Sequence, residues 1–160
     1  MFDTDIEMPD CDELIERYGM GDHGRVQSAI DYHVLKFCDP YLPYDTGALR
    51  DSGYMNTDIG SGEVVWMPIG DSPGVVSGPS YAHYMYYGLV YGPNIPIEFA
   101  ADGTPIAWRS PKGKPKHPTG KHLTYDVGHN PMAGSFWFER MKADRLQDII
   151  EIAEKAAKNE

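Results

Sequence analysis

The chain has 160 residues, the size of one domain and enough to bury a sizeable core. With 41% hydrophobic and 24% charged residues, its composition is that of a soluble globular protein. A net charge of −10 argues against general affinity for DNA, which needs clustered Lys and Arg to release phosphate counterions.

No apolar run of roughly eighteen residues occurs, so no membrane span is expected. The start, Met1 to Asp12, is acidic and lacks the apolar centre of a secretory signal, which leads to the expectation of a cytoplasm. Cys11 and Cys38 fit that compartment as two unpaired thiols. Neither belongs to a CxxC pair, so a cysteine zinc site is unsupported.

Residues 1–24 read as an acidic arm, and residues 25–160 as a single α+β domain. In residues 1–20 seven acids stand against one base, Arg17. Asp10–Tyr18 has the pattern of a short helix with Leu14, Ile15 and Tyr18 on one face, followed by three glycines over Gly19–Gly24. An arm that docks on a neighbour and a solvated terminus both fit. From Arg25, the residues Val26, Ala29, Ile30, His33, Val34 and Phe37 recur at helical steps, and Pro40 and Pro43 end that helix. His33 lies on the apolar face and reads as a core histidine.

Between Tyr54 and Tyr125 the helical period disappears. Glu63–Ile69 and Gly74–Ser77 read as short strands around the turn-forming set Gly70-Asp71-Ser72-Pro73. Ile95–Phe99 and Pro105–Trp108 flank Ala101-Asp102-Gly103, which predicts a hairpin. Arg109–His122 carries five bases (Arg109, Lys112, Lys114, Lys116, Lys121), no acids and three prolines, and reads as an exposed basic loop over 109–122. From Phe136 a stripe through Phe138, Met141, Leu146, Ile149, Ala153 and Ala156 predicts a long amphipathic helix. The expected fold is α+β: a small antiparallel sheet packed by an N-terminal helix and a long C-terminal one.

Three constellations invite a chemical reading. Asp45-Thr46-Gly47 is the triplet of aspartic proteases, whose mechanism needs two aspartates sharing a proton and would require a dimer. The alternative is a turn in which Asp45 caps, Gly47 supplies free φ, and Ala48-Leu49 opens the next element. Pro40-Tyr41-Leu42-Pro43-Tyr44 in place of an apolar strand favours the turn. Gly113 to Gly120-Lys121 fails as a phosphate loop, because the spacing is too long and Pro115 and Pro118 remove amides. His117, His122 and His129, near Asp126, match no metal-ligand spacing, so no metal site is expected. The tyrosines Tyr81, Tyr84, Tyr86, Tyr87 and Tyr91 suit either a protein–protein surface or a partly buried cluster. No Lys or Arg lies between Asp51 and Arg109, so base stacking on them is unsupported.

Three stretches resemble segments of phage minor capsid proteins. The first is Pro40-Tyr41-Leu42-Pro43 with Asp45-Thr46-Gly47-Ala48-Leu49-Arg50-Asp51-Ser52. The second is Gly78-Pro79-Ser80-Tyr81-Ala82-His83-Tyr84 with Tyr86-Tyr87-Gly88, and the third runs from His129 to Ala143 through Ala133 and Trp137. Those proteins are similar in turn to the tail-completion family of long-tailed phages, between the head stopper and the tail-terminator ring.

The resemblance implies a virion protein assembled in the host cytoplasm, with no enzymatic activity and no cofactor. It would form a ring of its own copies and meet neck neighbours (stopper, tail terminator or tail tube). A stopper or terminator ring protein is the alternative within the class, and the dimeric protease the alternative outside it. The motif positions are Pro43, Asp45, Thr46, Gly47, Leu49, Ser52, Tyr81, Ala82, Gly88, Ala133 and Trp137. Candidate subunit contacts are Tyr84, Tyr86, Tyr87, Arg109, Lys112, Lys114, Lys116 and Lys121. Ile95–Lys121 departs from the motif as an insert.

Overall fold

The second predicted helix organises the molecule. In the computed structural model, which describes residues 10–67, 81–109, 111 and 114–159, α1 spans Cys11–Tyr18 and α2 spans Arg25–Cys38. Helix α2 buries Asp31, Val34, Leu35 and Cys38, a face shifted slightly from the predicted stripe. Pro40 enters a 3₁₀ turn, Asp39–Tyr41, that ends the helix. Gly47, at φ +84°, makes the left-handed step into α3, Ala48–Asn56.

The last helix, α5, runs Trp137–Lys158 and packs along α2. Together with the 3₁₀ turn and α3 it closes a core of Val34, Cys38, Tyr41, Leu42, Leu49, Ala82, Trp137 and Met141. Ile30, Phe37, Trp66, Tyr86 and Ile149 pack against it. Each fully buried large side chain stabilises the fold by roughly 1.5–3 kcal/mol. The two aromatics that open α5 divide: Trp137 is 2% exposed, whereas Phe138 is 36% exposed and does not anchor the helix. One helical step of about 100° separates them, and the core meets only one side of the helix.

The strands form two antiparallel ladders. β1 (Leu89–Gly92) pairs with β4 (His117–His122), with Leu89 opposite His122 and Gly92 opposite His117. β2 (Ile95–Phe99) pairs with β3 (Pro105–Arg109) as the predicted hairpin. Its turn closes through Gly103 N–H donating to the Ala100 carbonyl at 2.9 Å, with Gly103 at φ +84°. The Asp102 carboxylate accepts the Thr104 amide at 2.9 Å. The α+β class with antiparallel strands and a long C-terminal helix is as expected. Of the strand residues only Gly92 is buried, so the ladders form a lobe beside a helical body.

Three expectations change. Tyr81–Tyr87 is a helix, α4, inside the stretch predicted to lack one. His117–His122 is a strand and not loop, because Leu89–Gly92 offers it a partner distant in sequence. Glu63–Met67 forms no strand. There Val64 and Trp66 turn to the core, while the Val65 amide donates to Thr57 Oγ1 at 3.0 Å and Asn56 Nδ2 donates to the Met67 carbonyl at 3.2 Å. Gly74–Ser77, Gly78-Pro79-Ser80 and the first nine residues of the predicted arm lie outside the described residues.

Candidate functional site

The three stretches that carry the resemblance converge on one junction. Asn130 Nδ2 donates to the backbone carbonyls of Asp39 (3.0 Å) and Leu42 (2.9 Å). The Gly134 amide donates to the Tyr41 carbonyl at 3.2 Å, and Tyr44 stacks on His129 with ring centroids 3.6 Å apart. From the other side, the Phe136 amide donates to the Tyr86 carbonyl at 2.9 Å. The Tyr86 hydroxyl donates to Glu139, and its ring stands edge-on to Trp137 at 4.7 Å. Tyr41 reaches α5 through its hydroxyl, which donates to Asp144 at 2.7 Å. The segments are thus bound to one another mainly through backbone groups and rings.

Within the junction the motif positions form turns and packing. Leu49 is buried, and the buried Ser52 hydroxyl donates to the Leu49 carbonyl at 2.7 Å. Ala82 is buried on α4, which Tyr81 opens. Gly88, at φ +67°, lies where an added Cβ would stand 2.8 Å from the Tyr125 hydroxyl, so close approach as well as backbone angle demands glycine. Ala133 is half-buried, and its amide donates to the Asn130 carbonyl at 2.9 Å.

Asp45 is exposed and does not cap α3, whose N-cap is Gly47; the Thr46 hydroxyl accepts the Ala48 amide at 3.4 Å. The exposed carboxylate reaches no helix amide because Gly47 turns the chain between them. A hollow of about 130 Å³ lies here, lined by Pro43, Asp45, Thr46, Gly47, Ala48 and Leu49. Among the described residues no second aspartate joins that lining. Behind it, burial pushes the Asp39 carboxyl up, and the Tyr54 hydroxyl, donating at 3.1 Å, partly offsets this. Burial first, then the neighbouring Asp39 and Glu139 charges, push the Cys38 thiol up to about 12.

Among the described residues no three His, Cys, Asp or Glu side chains come together as a metal site. His117 and His122 are exposed on β4, apart from His129 on Tyr44.

The tyrosine cluster splits between the two roles left open for it. Tyr86 packs against the core, whereas Tyr87 is 44% exposed beside His83 at 4.7 Å. Tyr84 lies half-buried against Tyr91, with centroids 4.6 Å apart. Of the bases, Arg109, Lys114 and Lys121 are exposed. Lys116 is half-buried, its ammonium donating to the Pro93 carbonyl at 2.8 Å and to Asn94, so it holds the β1–β2 corner. Lys112 lies outside the described residues.

Two features escape the sequence reading, the role of Asp31 and the exposed apolar face of the predicted hairpin. Asp31, 2% exposed on α2, accepts from Gln27 Nε2 (2.7 Å) and from the backbone amides of Gly60 (2.8 Å) and Gly62 (3.0 Å). It ties α2 to the segment after α3, and its only signal is an acid one step from an apolar stripe. On the hairpin it is the exposed apolar face: Ile97, Phe99, Ile106 and Trp108 are each at least half exposed. Alternating apolar residues on both strands were the available signal.

Fold and site together define an α+β protein with a closed helical body and a projecting lobe of apolar and cationic strands. Compared with known proteins, the chain matches no family model, no curated protein and no solved structure.

Proposed function

We propose that this chain is a structural subunit of a tailed phage, a minor capsid or tail-completion component. It joins head and tail in the neck by binding copies of itself in a ring and the neighbouring neck proteins. The observation that carries this reading is the junction: three stretches far apart in sequence, each resembling the same family, bond to one another. Their residue types serve turns, close backbone approach and aromatic packing, the work of a subunit that holds a shape. The exposed hairpin and cationic strands give such a subunit contact area, and the net charge of −10 suits a wall past which DNA slides.

Locating the chain in purified particles by gold-labelled antibody tests the reading. Label at the head–tail boundary, with unjoined heads and tails when the gene is disabled, is the expected result. Particles that lack the chain and join normally would end it. So would proteolysis by the purified protein that Asp45→Asn abolishes, since that variant is expected to join heads and tails as the parent does.

A further inference from the structure

Between the two ladders lies a cleft of about 460 Å³, lined by Val90, Pro93, Asn94, Trp108, Thr119 and Lys121. Its floor is largely apolar, with Lys121 at its rim. Residues 89–122, which build it, carry five bases against two acids, while the rest of the chain carries nine bases against twenty-two acids. The molecule is therefore a dipole, with a basic lobe and an acidic body.

Helix α1 has the opposite character. None of its residues is buried, and Ile15, Tyr18 and the following Met20 are 41%, 41% and 57% exposed. Asp10, Asp12, Glu13 and Glu16 surround them against one base, Arg17. A helix of eight residues is marginal without cover, and its own chain gives it little.

Helix α1 is also held far from its own cleft. Arg25 fastens it to the C-terminal end of α5, donating to the carbonyls of Arg17 (2.8 Å), Ala156 (2.7 Å) and Ala157 (3.0 Å). The lobe is rooted at the opposite end of α5, where the Phe136 amide meets Tyr86 and α4 leads into β1. At 1.5 Å per residue these ends are about 30 Å apart.

We infer that α1 of one copy docks in the Trp108 cleft of the next, Ile15 and Tyr18 covering Trp108 and Val90 while the acidic charge of α1 meets the Lys121 side of the cleft. The occupant is a second copy because the charges that attract lie at opposite ends of the same chain. Lobe-to-lobe or body-to-body pairing sets like charges together. A contact between two different patches is head-to-tail, the kind that generates rings when the rotation closes. This deepens the proposed ring of copies and rests on it.

Sedimentation velocity on the full chain at low ionic strength tests the contact with two variants. Trp108→Glu spoils the cleft, and Ile15→Lys with Tyr18→Lys spoils the apolar face of the helix. Each variant alone is expected to associate at least about tenfold more weakly than the parent, with an unchanged melting temperature, because the altered residues are exposed. Mixed in equal amounts, the two should form one-to-one dimers and nothing larger, since one good helix and one good cleft remain.

A parent that stays monomeric, variants that associate as the parent does, or a mixture that stays monomeric would each overturn the inference. The neck reading fails separately. Neck label with Trp108→Glu associating normally sinks only the docking contact, and head-to-tail dimers from a chain missing from particles sink only the neck role.

Discussion

Trp137 and Trp108 show how differently the two halves of the molecule use the same residue type. In the helical body Trp137 is 2% exposed, edge-on to Trp66 at 6.0 Å and to Tyr86 at 4.7 Å. In the strand lobe Trp108 is 57% exposed, with Ile106 at 62% on the same strand. A tryptophan in the body excludes water from three segments at once, whereas one in the lobe leaves most of its ring in solvent. Aromatic content alone does not separate an anchor from a surface. What separates them is whether a second layer exists to cover the ring, and two-stranded ladders supply none.

That comparison breaks first at Trp137. Trp137→Ala should cost about 3–5 kcal/mol, seen as a lower denaturant midpoint. An unchanged midpoint would mean that the body is not organised around this ring. Asp31→Ala comes next, at about 1–3 kcal/mol, because the Gly60 and Gly62 amides lose their acceptor. Asp31→Asn keeps an oxygen there and should cost less; equal losses would point away from those bonds.

A third test uses the thiols. The Cys38 thiol is held at about 12 against an ordinary 9.0. The neutral thiol's contribution to stability is therefore complete below pH 9 and is lost as pH rises from 9 toward 12. At pH 8 an alkylating reagent should modify exposed Cys11 quickly and buried Cys38 only on unfolding. Equal rates in the folded protein would contradict a closed body. The smallest effect belongs to the lobe: Trp108→Ala should change stability by no more than about 0.5 kcal/mol. A large fall in melting temperature would make lobe and body one cooperative core.

Helices α2 and α5 were legible because their apolar residues repeat at 3.6-residue steps against a polar face. The hairpin was legible from Asp102-Gly103, whose chemistry is local. Helix α4 was not, since Tyr-Ala-His-Tyr-Met-Tyr-Tyr has no charged face to set off an apolar one. Strand β4 was hidden by its composition, His117 at its start and Lys121-His122 at its end around Pro118 and Gly120, and by a partner far away in sequence. Tertiary pairing overrides propensity at such positions. In the candidate site, the Asp45 turn could be read from Pro43 and Gly47. The grip of Asn130 on Asp39 and Leu42 could not, because an asparagine in a loop carries no mark of which distant carbonyls it will find.

The pairing of Leu89 with His122 has a consequence for how the chain can be divided. The Leu123 amide donates to the Gly88 carbonyl at 2.9 Å, so the chain leaves the body and returns to it at one point. Everything from 89 to 122 hangs from adjacent ends, the geometry that accepts insertion or excision. Replacing this single contiguous stretch by a short linker is expected to leave Trp137, Met141 and Asp31 where they are. In that sense the lobe is a detachable module, joined to the body by one pair of neighbouring strands.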